Sequence, residues 1–349
     1  MNYLKISVFT LTLCCLANLA VAAEPIFTTD AGKSFALSYE KAETPIWQFN
    51  FDPAITHHPF FNPIRVCNQE DAKAASPNLT WVAPPDHVWH KGFWFAWKYI
   101  NGVNYWETGR GGKAQGKTTW CDVKLEKKKD LSAVITCTLY YMPAKAFDEV
   151  LAKKVKPCDL TNPEITSRMV LLEKRKYIVA PPREDGSIQI DTEQVFTAQG
   201  KDVELNRTPL PGEPGGRAWG GYAGLSVRFA KGMTERQAMT DTGPLGKELA
   251  KTQRLKANAL DYTGLFPTKD DKKGQPFGAL ICDNPANPHH PSPWYAIASN
   301  MSYFSPAFVC YKPYTIPKGK SLTLKYRTVF HPGRLTADQI KKEFEAYSK

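Results

Sequence analysis

Histidine can give or take a proton near neutral pH. The seven histidines of this 349-residue chain all stand in proline-rich or aromatic-rich segments. They occur as His57-His58-Pro59, Asp86-His87-Val88-Trp89-His90, Asn287-Pro288-His289-His290-Pro291 and His331-Pro332. His87 and His90 are the leading acid/base pair. They follow the turn Pro84-Pro85-Asp86 and precede a β-prone run that starts at Gly92, so both sit at a loop-to-strand junction where side chains three apart converge. Asp86 is placed to orient one imidazole and fix its tautomer. A metal-dependent alternative joins His87 and His90 to His289 or His290 as a three-nitrogen site. An HxxH spacing outside a helix is a weak metal motif, so no metal ligand and no cofactor is assigned. The plain alternative for each histidine is an imidazole that hydrogen-bonds loop backbone.

The second dense feature is aromatic: Trp81, Trp89, Trp94, Trp97, Trp106 and Trp120 fall within forty residues. Flat rings beside hydrogen-bonding side chains suit sugars, which present apolar C–H faces and demanding hydroxyls. Trp94 and Trp97 read as core on opposite faces of one strand, whereas Trp89, Trp106 and Trp294 flank loop motifs and read as surface residues. Carboxylates available for acid or base work are Asp86, Glu107, Glu193, Glu213 and Asp261. Nothing in their spacing pairs them. The chain has no GxSxG, GxGxxG opening a helix, P-loop or HExxH, so serine-hydrolase, nucleotide and zincin chemistry lose support.

The elements that must carry these residues are strands. Short β-prone runs separated by Pro, Gly, Asn and Asp cover residues 35–39, 46–51, 92–100, 118–126, 131–141, 169–179, 187–196, 222–229, 277–282 and 322–330. In Ser187-Ile188-Gln189-Ile190-Asp191 the isoleucines share one face, the period of a half-buried strand. Phe93-Trp94-Phe95-Ala96-Trp97 is apolar on both faces and is expected between two layers. The pattern predicts an all-β chain, a large antiparallel sandwich. A short C-terminal helix is expected after the capping-box spacing Thr336-Ala337-Asp338-Gln339. Residues 147–155 fit a helix or a strand continuation. Proline- and glycine-rich stretches at 206–221 and 283–293 are long enough to carry function on a rigid frame.

Residues 1–23 read as a secretory signal: Lys5, an apolar run over 6–19, and the small residues of Leu19-Ala20-Val21-Ala22-Ala23. A periplasmic or secreted protein with one domain over 24–349 is expected. No later run is long and apolar enough for a spanning helix. Export would leave Cys67, Cys121, Cys137, Cys158, Cys282 and Cys310 in an oxidising compartment, where one or two disulfides are expected. The formal net charge is +11, which favours an anionic glycan partner and, given export, no nucleic acid. The basic run at 124–129 equally fits a solvated strand end.

At His58-Pro59-Phe60-Phe61-Asn62-Pro63-Ile64-Arg65, Pro85-Asp86-His87-Val88-Trp89-His90-Lys91-Gly92-Phe93-Trp94-Phe95-Ala96-Trp97 and Asn101-Gly102-Val103-Asn104-Tyr105-Trp106, the chain resembles the PmoA-like family of exported bacterial proteins. Further matches are Gly221-Tyr222-Ala223-Gly224-Leu225-Ser226-Val227-Arg228, Leu260-Asp261-Tyr262-Thr263-Gly264, Asn284-Pro285-Ala286-Asn287-Pro288, Pro293-Trp294-Tyr295 and Tyr326-Arg327-Thr328-Val329-Phe330-His331-Pro332-Gly333. The family name refers to a membrane-bound methane oxygenase, a function this chain has no span to support. The resemblance implies a super-sandwich like those of galactose mutarotases and polysaccharide lyases, in a setting of bacterial sugar degradation. The family usually has a further histidine where this chain has Trp89. That leaves His87 and His90 as the matched pair.

These readings converge on a carbohydrate-active enzyme, a glycoside hydrolase or lyase. His87 and His90 would do the acid/base work and Asp86 would orient an imidazole. Arg65 and Arg228 would bind a carboxylate or hydroxyls. Trp106 would stack on the sugar, and His289, His290 and Trp294 would close the site. The alternative from another class is a non-catalytic glycan-binding protein whose aromatics form the platform.

Overall fold

The computed structural model describes residues 25–39, 44–66, 76–108, 115–245, 254–268, 271–297 and 301–349. The expected signal over 1–23 and Cys67 lie outside them. Strand formation follows the period-2 pattern most plainly in Ile188–Ala198, whose odd and even residues alternate between buried and half-buried. That strand stands in a nine-stranded antiparallel sheet, between Leu171–Val179 and Ser321–Pro332. The opposing eight-stranded sheet centres on Phe60–Ile64, Phe93–Ala96, Gly224–Arg228 and Tyr303–Pro306. The inner faces of the two sheets meet through Phe61 on Tyr177, Phe93 on Phe330 and Phe95 on Phe196, with ring centroids 5.1, 5.6 and 5.3 Å apart. The expected all-β sandwich is the observed fold.

Phe93–Ala96 is buried along its whole length, as its two apolar faces require. Phe93 and Phe95 enter the core between the sheets, while Trp94 and Ala96 join a separate cluster on the outer face with Phe60, Trp89, Trp106 and Tyr303. The β-prone run at 92–100 is not one strand: it breaks after Ala96, and Tyr99–Ile100 joins a small sheet with Val103–Asn104, Val203–Asn206 and Tyr314–Ile316. Of residues 147–155, the first six belong to the helix Ala144–Ala152, which sets Phe147 and Val150 against the nine-stranded sheet, and 153–155 lie beyond its end. At the other end of that sheet the C-terminal helix Ala337–Ser348 starts at Thr336 with a full capping box. Its Ile340 packs beside Cys282 and Val329.

Cys121 and Cys158 form a disulfide over a separation of 37 residues, tying the strand Gly116–Lys127 to the segment that follows Ala144–Ala152. Cys137, Cys282 and Cys310 are buried free thiols. Closing a loop of this length restricts the unfolded chain, so Cys121→Ser/Cys158→Ser is expected to lower stability by about 2–4 kcal/mol. Urea unfolding of the double variant measures it. The basic run at 124–129 is the exposed end of its strand and hairpin.

His331, one of the seven histidines, has a structural place. It reaches across the intervening strand Gln275–Asp283 at Gly278, and its Nε2 lies 2.8 Å from Asp261 Oδ1. A Cβ on Gly278 would stand 2.6 Å from Thr263 Oγ1, so only glycine leaves room for this bridge. Burial opposes the charged imidazole, but Asp261 and the Pro332 carbonyl outweigh it and raise the His331 pKa above its ordinary 6.5. A raised folded-state pKa stabilises below the unfolded value and loses that stabilisation as pH rises through the folded one. The melting temperature of wild-type protein is therefore expected to fall, relative to His331→Gln, as pH is raised from about 6.5 through the folded-state pKa. Parallel thermal melts across that range check it.

Candidate functional site

The outer face of the eight-stranded sheet carries a cavity of about 330 Å³, within the range of small-molecule sites. Its histidines come from the turn that precedes Phe93–Ala96. Within that turn the His87 amide donates to the Pro84 carbonyl, the His90 amide to the His87 carbonyl and the Ala83 amide to the His90 carbonyl, at 2.8–2.9 Å. The chain then enters the strand through Gly92, whose φ of +75° and 2.8 Å approach of a notional Cβ to the Phe61 carbonyl admit no side chain. The Pro-Pro-Asp signal and this glycine fix where both imidazoles stand.

Buried Arg228, on the neighbouring strand Gly224–Arg228, donates from Nη2 to both Asp86 oxygens at 2.8 and 3.1 Å. Asp86 Oδ2 lies 3.0 Å from His87 Nδ1. His87 in turn stacks on His90, with centroids 4.7 Å apart. His90 is 4% exposed and also stacks on Tyr303, at 5.2 Å. Its Nδ1 is buried without a hydrogen-bond partner. Burial first, then the fields of His87 and Arg228, hold the His90 pKa well below 6.5. His90 is thus a neutral imidazole at neutral pH, a proton acceptor. Burial is the largest single influence on Asp86 and works to raise its pKa, but the hydrogen bonds and charges of His87 and Arg228 together hold it below the ordinary carboxylate value.

The opposite wall comes from the loop 102–108. Asn104 Oδ1 accepts from the amides of Trp106 and Glu107 at 2.8 and 3.2 Å, a local turn that presents both side chains to the cavity. Trp106 lies against Trp94 and Tyr222, with centroids 5.7 and 5.1 Å apart. Glu107 accepts hydrogen bonds from Lys98, from Asn104 and, at 3.1 Å, from the Tyr222 hydroxyl. Burial works to raise the Glu107 pKa, but Lys98, Asn104 and Tyr222 lower it overall. Burial and the Glu107 charge push the Tyr222 hydroxyl well above 10, so it keeps its proton. Tyr295 and the exposed Trp219 complete the aromatic rim.

The structure brings together His87, His90, Asp86 and Trp106 and sends the remaining expected residues elsewhere. Arg228 is spent on Asp86 instead of facing a ligand. Arg65 donates to the Ser76 carbonyl at 2.8 Å and does not line the cavity. Trp294 is buried in the core, its Nε1 donating to the Ala257 carbonyl at 2.8 Å. His289 stacks on Phe308, and His290 contacts Asp283 at 2.8 Å and Phe344 by ring stacking. The two line a different cavity of about 160 Å³. Among the described residues no three His, Cys, Asp or Glu gather as a metal site, so the three-nitrogen arrangement is not formed. Tyr295 reaches the cavity face because its neighbour Trp294 turns inward on Trp294–Ile297, the reverse of the surface position expected for Trp294. Tyr222 and Tyr303 carried no local signal.

Fold and site together define an antiparallel β-sandwich with an aromatic, histidine-floored cavity on one outer face. The chain belongs to a family of unknown function, DUF6807, whose profile matches residues 36–345. A comparison with curated proteins gives no match. Among solved structures, the galactosidase domain of an alpha-galactosidase-sucrose kinase aligns at TM-score 0.37 and 11% identity, covering 88% of this chain and 42% of that one. A putative aldose 1-epimerase from Klebsiella pneumoniae aligns at TM-score 0.33 and 7% identity, covering 90% and 84%. An alpha-galactosidase from Lactobacillus brevis aligns at TM-score 0.27 and 7% identity, covering 88% and 39%. No helix among the described residues is long and apolar enough to cross a membrane.

Proposed function

We propose that the protein is an exported carbohydrate-active enzyme that cleaves a glycan by elimination, with His90 as the base. The observation that carries this reading is His90 itself: a buried, neutral imidazole with an unpartnered nitrogen, held in an aromatic cavity. Aromatic walls suit the C–H faces of a sugar, and Glu107 on the cavity wall supplies a polar partner for its hydroxyls. The sequence resemblance to PmoA-like exported proteins supports the same setting.

Elimination is favoured over hydrolysis by the protonation states. Acid-led glycoside hydrolysis needs a carboxyl held protonated at the leaving oxygen. The two carboxylates at this site, Asp86 and Glu107, are both held ionised. A neutral imidazole can instead remove a proton from carbon next to a carboxylate or ketone of the sugar. The C–H electron pair becomes the new double bond, the C–O bond to the leaving sugar breaks, and its oxygen takes a proton from water. Asp86 and Arg228 position His87, and His87 positions His90 by stacking.

The test is mass spectrometry of products after incubating the protein with native and pre-oxidised glycans in isotopically heavy water. An unsaturated product without heavy oxygen is expected. A product that gains one heavy oxygen overturns elimination in favour of hydrolysis. Saturable binding without any covalent change overturns the enzyme reading in favour of a glycan-recognition protein.

A further inference from the structure

The loop 102–108 turns Trp106 and Glu107 toward the aromatic cavity, and Val103 and Thr108 toward a second one of about 960 Å³. His57, Lys117 and Lys145 line this second cavity, and Asp148 is the one acidic residue of its described lining. Lys117 is held in place over the ring of Phe147, 5.5 Å from its centroid. The helix Ala144–Ala152 opens onto the cavity with Pro143 at its cap, no side-chain cap and no acidic residue in its first turn. The Ala144 amide is taken by the Gln115 carbonyl at 2.9 Å, so the next amides of the first turn and the positive end of the dipole are what is left for an anion. Independently, Thr108 and Thr118 on the cavity wall are 5% and 4% exposed, and their hydroxyls have no hydrogen-bond partner. Buried hydroxyls without partners are costly unless a ligand or water satisfies them.

We infer that this cavity is a binding site for an oxyanion, a carboxylate, sulfate or phosphate group. Lys117, Lys145 and His57 would hold it, with the hydroxyls of Thr108 and Thr118 and the open helix start. The local field has the required sign. Burial, Lys117 and the nearly buried Lys91 all disfavour a positive charge on His57 and lower its pKa. Lys117 and Lys145 beside one acidic group gain from a bound anion, and a neutral His57 can still donate one N–H to it. Burial lowers the Lys117 pKa and Asp148 offsets this only in part; Asp148 would compete with the ligand. The site is independent of the elimination chemistry proposed above, because none of its residues lines the aromatic cavity.

Calorimetric titration of the full chain with sulfate, phosphate and glucuronate at constant ionic strength tests it. Saturable binding is expected, weakened roughly tenfold or more in Lys117→Gln/Lys145→Gln and tightened in Asp148→Asn. The His57 ring resonances should move on titration and those of His90 should not. Lys145→Gln alone, at an exposed position, keeps the test available if the double variant is poorly folded. An acidic oligosaccharide that binds more tightly than glucuronate would identify a glycan substituent as the source of the anion, and equal affinity a free anion. Binding of none of these anions by the wild type, or affinities unchanged in the lysine variants and Asp148→Asn, overturns the site. His90→Ala should bind sulfate like wild type, so failure here and failure of the elimination reading are separate results.

Discussion

Alanine at position 90 is expected to lower turnover of the converted glycan by about 10²–10⁴-fold while leaving its binding nearly unchanged. That is the usual contribution of a positioned proton-transfer group. The imidazole is the acceptor that the proposed step requires, and it stacks between His87 and Tyr303. Trp106→Ala should show the opposite split. It removes a cavity wall that also supports Trp94 and Tyr222, so it should weaken binding of glycan. Initial rates measured with saturating and limiting glycan separate the two variants. Equal turnover in His90→Ala and wild type would remove His90 from the chemistry.

Glu173→Ala is expected to destabilise the fold by about 3–5 kcal/mol, because it leaves a buried cation without its partner. Glu173 and Arg175 stand two apart on one strand, and both side chains are fully buried between the sheets. Arg175 donates to the carboxylate from Nε at 2.5 Å and from Nη2 at 2.9 Å, and the Tyr141 hydroxyl donates at 2.6 Å. The guanidinium also lies over the Phe95 ring, 5.5 Å from its centroid. Burial disfavours the charged Arg175, but Glu173 overrides it and raises its pKa further. Replacing both members, as Glu173→Leu/Arg175→Met, removes the stranded charge and should recover most of the loss. Urea midpoints of Glu173→Leu, Arg175→Met and the double variant close this cycle. A Glu173→Ala loss below about 1 kcal/mol would mean that water reaches Arg175.

The alternation of Ile188 and Ile190, the two-faced apolar run 93–97 and the capping box at Thr336 are local facts, and each appears in the structure where its period or cap requires. They depend on side-chain direction and backbone geometry within a few residues, which the chain encodes next to itself. His87, His90 and Asp86 were legible for the same reason: a proline turn and a required glycine place them on one junction. Glu107 was visible as a carboxylate but not as part of the site, because nothing local says that Lys98 and Tyr222 will meet it. The strand Ala259–Phe266 went unread although Leu260 and Tyr262 alternate with Asp261 and Thr263 over four residues.

Trp294 and the pair His289-His290 mark the boundary most clearly. Their residue types suit a sugar site, and the proline-rich loop around them suits function, yet Trp294 fills the core and the histidines face Phe308 and the C-terminal helix. Which loop closes over which strand depends on pairings between distant segments, such as Gly224–Arg228 against both Phe93–Ala96 and Tyr303–Pro306. By itself the sequence determined the all-β class, the turn that carries His87 and His90, and the helix that ends the chain. Only the tertiary structure decided that His90 meets Tyr303, that Arg228 serves Asp86, and that Glu107 shares their cavity, because long-range strand pairing is set by burying whole faces together.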